Sequence, residues 1–195
     1  MRVISGIRKG HKLKSPKGQL TRPTEDRIKE SLFNILGILN KESIVLDLFS
    51  GSGSIGIEFL SRGAKEVYFI DSSLDSINTI RENLNHTRLL ENSVVYKKDS
   101  LQAIRFLKDK SIKFDYIYID PPFENHELIF NVLKNLGKHP ILKENSMIII
   151  EHEKKLNLSD NLSVFEIIDS RDYGSKAITF LKSPKEVIYE SNISR

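Results

Sequence analysis

The sequence predicts a doubly wound α/β fold: a mostly parallel sheet covered by helices on both faces, ending in an antiparallel hairpin and preceded by a small basic β-hairpin extension. Three observations predict it. Short apolar runs alternate with helical patterns from residue 44 to residue 150. Those runs are apolar on successive residues rather than on every second one, as in parallel strands buried on both faces. The last two runs, residues 164–168 and 177–181, are joined only by residues 169–176, too short a link for a parallel crossover, so they must pair antiparallel.

The elements follow in order. Arg2-Val3-Ile4-Ser5-Gly6 and Lys12-Leu13-Lys14 flank Arg8-Lys9-Gly10, a short hairpin with basic residues at its turn, which Pro16 and Gly18 then interrupt. A helix begins at Pro23-Thr24, with Thr24 as N-cap, Glu25 and Asp26 in its first turn, and Ile28, Leu32, Ile35, Leu36 and Leu39 at helical spacing. Residues 44–49 form the first strand, followed by Ser50-Gly51-Ser52-Gly53-Ser54-Ile55-Gly56 and a helix carrying Ile57 and Leu60. The second strand, residues 66–71, ends in an acid, and Ile77, Ile80 and Leu84 supply the apolar face of the next helix. A third strand at residues 94–96 leads to Asp99, and a helix over about 101–108 precedes the fourth strand, residues 116–119. Leu128, Ile129, Val132, Leu133 and Leu136 mark a further helix with Gly137 as its stop, and residues 147–150 form a fifth strand. Beyond Lys182 there is little core pattern. The division expected is a basic extension at 1–22, a main domain at 23–182 and a tail at 183–195.

A chain of 195 residues accommodates one well-buried domain, and 39% apolar with 29% charged residues fits a soluble globular protein. No run is long enough to span a bilayer and no apolar signal segment opens the chain, so a cytoplasmic protein with no membrane partner is expected. The absence of cysteine excludes disulfides and thiolate metal sites. His11, His86, His126, His139 and His152 lack metal-ligand spacing, and no metal is expected. The net charge of +4 is concentrated in the opening segment. Between Met1 and Arg22 stand Arg2, Arg8, Lys9, Lys12, Lys14, Lys17 and Arg22 with no acid among them, either a phosphate-contacting arm or a solvated basic terminus.

Two constellations carry chemistry. Gly51-x-Gly53-x-x-Gly56 lies between a strand and a helix, where glycines let the backbone turn tightly and approach a ligand at the helix N-terminus. A lone pattern of this kind is also an ordinary tight turn. Asp71, closing the second strand, is placed to accept hydrogen bonds from both hydroxyls of a ribose. Asp47, just before the loop, disfavours a pyrophosphate, because a carboxylate repels anions, and suits the cationic amino end of S-adenosylmethionine. Asp99 is placed either to accept from an adenine amine or to cap the following helix with help from Ser100.

The second constellation is Asp120-Pro121-Pro122-Phe123, at the carboxyl end of the fourth strand. Two prolines stiffen the chain and remove two N–H donors, which leaves a turn presenting the Asp120 carboxylate, backbone carbonyls and an aromatic face. Such a surface matches a flat group that donates two hydrogens, such as the exocyclic amine of a nucleobase. Its plainer reading is a strand-ending turn with a core phenylalanine.

Taken together, residues 47–56 and 120–123 resemble an S-adenosylmethionine-dependent methyltransferase with a Rossmann-like class I sheet, acting on an exocyclic amine. More narrowly, Gly10, Leu13, Arg22-Pro23-Thr24-x-x-Arg27-x-x-Glu30-x-Leu32-Phe33-Asn34-x-Leu36 and Tyr173-Gly174 resemble the RsmD family of 16S rRNA guanine-N2 methyltransferases, over about residues 2–181. Asp71 stands where that family more usually has Glu, and the tail after Lys182 carries no family motif.

The resemblance implies S-adenosyl-L-methionine as cofactor, with Gly51, Gly53 and Gly56 shaping its loop, Asp71 on the ribose, Asp47 toward the methionine end and Asp99 on the adenine. It implies that Asp120 and the Pro121 carbonyl accept the two N–H bonds of guanine N2 within the stiff turn that Pro122 completes. Phe123 would stack on the flipped base, unless it is plain core packing. Arg8, Lys9, Lys12, Lys14 and Arg22 would contact RNA. The partner implied is 16S rRNA or the assembling small ribosomal subunit, met by a monomer. A DNA adenine-N6 methyltransferase, an NAD-dependent oxidoreductase and a ribosome-assembly binder without catalysis are the rival readings.

Overall fold

In the computed structural model, residues 1–16, 26–122, 125–159, 162 and 164–183 are described. Their strands are β1 (Ile44–Asp47), β2 (Glu66–Asp71), β3 (Ser93–Lys97), β4 (Phe114–Ile119), β5 (Leu142–Glu153), β6 (Glu166–Tyr173) and β7 (Lys176–Lys182). They form one sheet in the order β3-β2-β1-β4-β5-β7-β6. β1 to β5 run parallel, whereas β7 is antiparallel to both β5 and β6. The helices are α1 (Asp26–Leu36), α2 (Ser54–Ser61), α3 (Leu74–Thr87), α4 (Ser100–Asp109) and α5 (His126–Lys138). From β1 the chain lays β2 and β3 on one side, then returns to place β4 on the other. A crevice opens at the carboxyl ends of strands where the order reverses in this way.

Successive strand residues feed two separate cores, which explains why the strands read as unbroken apolar runs. Val45, Val67, Phe69, Tyr118, Ile149 and Phe180 pack with residues of α1, α2 and α3. Leu46, Ile70, Ile117, Ile119, Ile148 and Ile150 pack instead with α4 and α5. The alternation fixes which side chains share a face at the sheet's carboxyl edge, and therefore which of them meet in the site.

Three expectations are corrected. β5 continues past Ile150 to Glu153, because Glu151, His152 and Glu153 remain paired with Ile178, Ala177 and Lys176 of β7. The final hairpin turns at Gly174-Ser175 rather than across eight residues, with Gly174 at φ +64° and β6 starting two residues after the exposed Val164. α5 runs through Gly137 to Lys138, and it ends because His139 precedes Pro140 and is held extended at φ −116°. The expected start of α1 at Pro23-Thr24, Arg22 and the tail from residue 184 lie outside the described residues.

The N-terminal hairpin forms, in short order. Val3 donates to the His11 carbonyl, Gly10 to Val3 and Leu13 to Met1, around a single 3₁₀ turn at Gly6–Arg8. Far from projecting, it buries Val3 and Leu13 in the core on the α1–α3 side. Gly6 sits at φ +80° with its α-carbon against α2, where a Cβ would meet the Ser61 carbonyl oxygen at 1.9 Å.

Gly56 is required for a different reason. A Cβ there would stand 2.3 Å from the Phe69 ring and 2.9 Å from Val67, so only glycine lets α2 lie this close to β2. Gly56→Ala is expected to lower stability by about 1–3 kcal/mol through overpacking, measured as a fall in the urea midpoint. An unchanged midpoint would mean that α2 moves away from the sheet freely.

Candidate active site

A cavity of about 1160 Å³ opens at the carboxyl ends of β1 and β4. Among its lining residues are Asp47, Gly51, Asp71, Asp99, Asp120, Pro121 and Pro122, brought together from four connections spread over residues 47–122. Gly53 and Gly56 do not line it. They act from behind, Gly53 as the left-handed residue (φ +76°) that starts α2, Gly56 through its packing on Phe69.

The loop after β1 is held by its own backbone. Ser50 ties β1 to β2: its N–H donates to the Ile70 carbonyl at 2.9 Å, its hydroxyl donates to the Asp47 carbonyl at 2.7 Å and accepts from Ile70 N–H at 3.0 Å. Gly51, at φ +53°, donates its N–H to Asp71 Oδ2 at 2.8 Å. The Asp47 carboxylate is only 1% exposed and accepts the N–H of Gly56 at 3.1 Å. Burial raises its pKa to about 7, against the lowering effect of that Gly56 bond. The carboxylate thus occupies a free N–H in the first turn of α2, where a pyrophosphate would otherwise bind.

Asp71 uses both oxygens locally, Oδ2 on Gly51 and Oδ1 on the N–H of Ser73 at 2.8 Å. Each carboxylate oxygen keeps a further lone pair, so ribose hydroxyls find acceptors already fixed in place. Asp99 is the N-cap of α4, with Oδ1 accepting from Leu101 at 3.0 Å and Gln102 at 3.3 Å. The capping reading is therefore the one observed, and it orients the carboxylate without removing it from the cavity wall.

Asp120 follows the last residue of β4 and is half-buried at the cavity floor. Among the described residues its carboxylate accepts no hydrogen bond. Burial, then the neighbouring Glu151 carboxylate, hold its pKa well above the ordinary carboxylate range; Lys176 opposes them, and Asp47 adds to the rise. Pro121 is buried and Pro122 exposed, and the Pro122 carbonyl accepts from Asn125, whose side chain in turn caps α5. The turn is pinned at both ends. Phe123 lies outside the described residues.

Glu151, Lys176 and Tyr118 were not among the sequence candidates. Glu151 is 1% exposed, accepts from the Tyr118 hydroxyl at 2.7 Å and is ion-paired with Lys176. The signal is present in the sequence: Glu151 follows an apolar run just as Asp47, Asp71 and Asp120 do, but inside β5 rather than at its end.

The basic residues lie apart from the floor but not from the loop. Lys9 and Lys12 are exposed, Arg8 reaches the Arg88 carbonyl at 3.4 Å, and Lys14 pairs with Glu82 at 2.9 Å. The amide of Asn83 donates to the carbonyls of both Lys14 and Ser52, linking the hairpin to the glycine loop, and Met1 of the hairpin lines the cavity. Arg22 lies outside the described residues. At the far rim Gly174 and Ser175 line the cavity, while the Tyr173 hydroxyl is bonded to Ser31 of α1.

A seven-stranded sheet with an antiparallel β7 inserted beside β5, and an acid-lined cavity over a glycine loop at the switch point, define the class I methyltransferase fold. Within that class, the chain belongs to the family described as Conserved hypothetical protein 95, whose model matches residues 1–182. The chain is 35% identical over 182 residues to the Bacillus subtilis protein named "Putative rRNA methyltransferase YlbH", covering 93% of this chain and 98% of that one. It is 38% identical over 155 residues to Ribosomal RNA small subunit methyltransferase D of Haemophilus influenzae, or 79% of each chain. Among solved structures, "Putative methyltransferase yhhF" from Escherichia coli superposes with a TM-score of 0.81 at 27% identity, covering 95% of this chain and 99% of that one.

Proposed function

We propose that this protein transfers a methyl group from S-adenosylmethionine to the exocyclic N2 amine of a guanine in small-subunit (16S) rRNA. The observation that carries the reading is the Asp120 turn: a carboxylate that accepts no hydrogen bond among the described residues, in the lining of an acid-lined cavity, followed by two residues that have no N–H. Asp120 and the Pro121 carbonyl accept the two amine hydrogens and turn the nitrogen lone pair toward the methyl carbon. When bound, the cofactor supplies a sulfonium methyl: the N–CH3 bond forms as the S–CH3 bond breaks, and the displaced proton passes to Asp120 or to water. Most of the acceleration is positioning. Asp71 accepts from the ribose, Asp99 from the adenine amine, and Asp47 sets the loop while its charge favours the cationic methionine end. The similarity to a small-subunit rRNA methyltransferase supports RNA as the substrate class. The proposed setting is the cytoplasm, with the protein acting as a monomer.

The cofactor is tested by calorimetric titration with S-adenosylmethionine and, separately, NAD. Only the first should give saturable heat. Tight NAD binding would return the oxidoreductase reading, against the Asp47–Gly56 bond that fills the pyrophosphate position. Because burial lifts the Asp47 pKa to about 7, affinity for the cationic cofactor should rise severalfold from about pH 6 to about 7, where an α-amine of pKa about 7.7–8.0 is still mostly protonated. Asp47→Asn should flatten that rise; a profile identical to wild type would remove Asp47 from cofactor binding.

Exchanging Lys9, Lys12 and Lys14 together for Glu should weaken RNA binding and make the slope of log affinity against log salt shallower by roughly 0.7–0.9 per lost phosphate contact. Undiminished binding would leave the hairpin with a purely structural role.

A further inference from the structure

The alternation of the sheet places four charged side chains in a row on the α1–α3 side of its carboxyl edge. Tyr118 belongs to that face, and Asp120 lies two residues further along β4. Ile149 belongs to it as well, and Glu151 lies two residues further along β5. Ile178 of β7 is opposite Glu151, which puts Lys176 on the same face, diagonal to Glu151. Because β7 runs antiparallel, its first residue meets the ends of β4 and β5. Asp47 of β1, two residues past Val45, completes the row. Three acids and one base therefore converge where the target amine is to be held.

The base is not loosely placed. Its ammonium is paired with Glu151, whose other oxygen accepts from Tyr118, and the Lys176 side chain is 12% exposed while that of Glu151 is 0%. A lysine paired only for hairpin stability would more naturally lie on the solvated face of β6 and β7. This one lines the cavity beside Asp120.

We propose that Lys176 is a positioning residue for methyl transfer: Glu151 and Tyr118 seat its ammonium group, and that charge favours the ionised, accepting form of Asp120 while the amine is turned toward the methyl carbon. The inference rests on the reading of Asp120 as the amine acceptor. It assigns Glu151 a double part. Its carboxylate fixes Lys176 but also opposes the ionisation of Asp120, together with Asp47, and Lys176 is the charge that works against them. Lys176 keeps its proton throughout the transfer.

The test is the pH dependence of single-turnover methyl transfer at saturating S-adenosylmethionine, for wild type, Lys176→Met, Lys176→Arg and the double variant Lys176→Met with Glu151→Gln. In Lys176→Met the acidic limb should move to higher pH by about one unit or more, with the rate recovering toward wild type on the alkaline side. Arginine should restore the limb. The double variant, which also removes the carboxylate that Lys176→Met leaves buried and unpaired at residue 151 and so remains measurable if the single variant is unstable, should bring it back below the single variant. A limb at the wild-type position in both methionine variants would overturn the proposal and leave the pair as a hairpin staple. Asp120→Asn, run alongside, separates the two readings: full activity in that variant sinks Asp120 as acceptor, whereas its loss with an unmoved limb sinks only the part given to Lys176.

Discussion

Asp120→Ala is expected to lower the rate of methyl transfer about 100-fold or more while S-adenosylmethionine binding and the thermal midpoint stay close to wild type. The split follows from where the residue sits. The nitrogen lone pair of an exocyclic amine is delocalised into the ring, and two acceptors are needed to turn it toward the methyl carbon. Removing one releases the amine from its in-line position, a loss of orientation that is worth about two orders of magnitude. The cofactor contacts assigned to Asp71, Asp99 and the glycine loop lie on other connections and are untouched. Since the Asp120 carboxylate accepts no hydrogen bond among the described residues and carries a burial cost, its removal does not destabilise the fold. A variant that turned over at the wild-type rate, with the protein folded, would overturn the assigned role of the turn.

Glu58→Ala is expected to give the largest loss of stability, about 3–5 kcal/mol. Every residue of α2 is buried, which an isolated amphipathic helix could not achieve, because the N-terminal hairpin and α1 cover its outer face. Glu58 is the joint between them. Its two oxygens accept from Ile4 at 2.8 Å, Ser5 at 2.9 Å and Arg62 at 2.9 Å, and Oε2 lies 3.6 Å from the ammonium of Lys29. Both Glu58 and Lys29 are 0% exposed, and Lys29 also donates to the Arg2 carbonyl at 2.6 Å and to the hydroxyl of Ser54, which lines the cavity. Without the carboxylate two hairpin N–H groups and an ammonium are buried without their acceptor. The hairpin should then undock, seen as faster proteolysis near its turn together with the fall in the urea midpoint, and Met1 would leave the cavity wall. If stability fell while the hairpin stayed protected, Glu58 would matter to α2 alone.

What the sequence disclosed about this molecule depended on how local the cause was. The parallel strands were legible because burial on both faces writes itself as an apolar run, and Asp47, Asp71 and Asp120 were legible because each closes such a run. β6 was misplaced because an edge strand paired on one side, Glu-Ile-Ile-Asp-Ser-Arg-Asp-Tyr, carries no apolar run to read. Glu151 with Lys176, and Lys29 with Glu58, were missed for a common reason. The pairs unite residues 25 and 29 apart in sequence, and a charge within an otherwise amphipathic pattern reads as solvated until the element that covers it is known. The hairpin illustrates the same limit: its basic residues suggested an arm, whereas Val3, Leu13 and Gly6 show it built into the main core beside the glycine loop.

The central claim is best tested by mapping methylated nucleotides, by mass spectrometry, in 16S rRNA from cells lacking this protein, before and after incubation of their small subunits with the purified protein and S-adenosylmethionine. One guanosine should be without its N2 methyl in those cells and should gain about 14 mass units, one methylene, on incubation, with Asp120→Ala unable to restore it. An unchanged 16S rRNA map, or a methyl group appearing instead on adenine N6 of DNA, would contradict it.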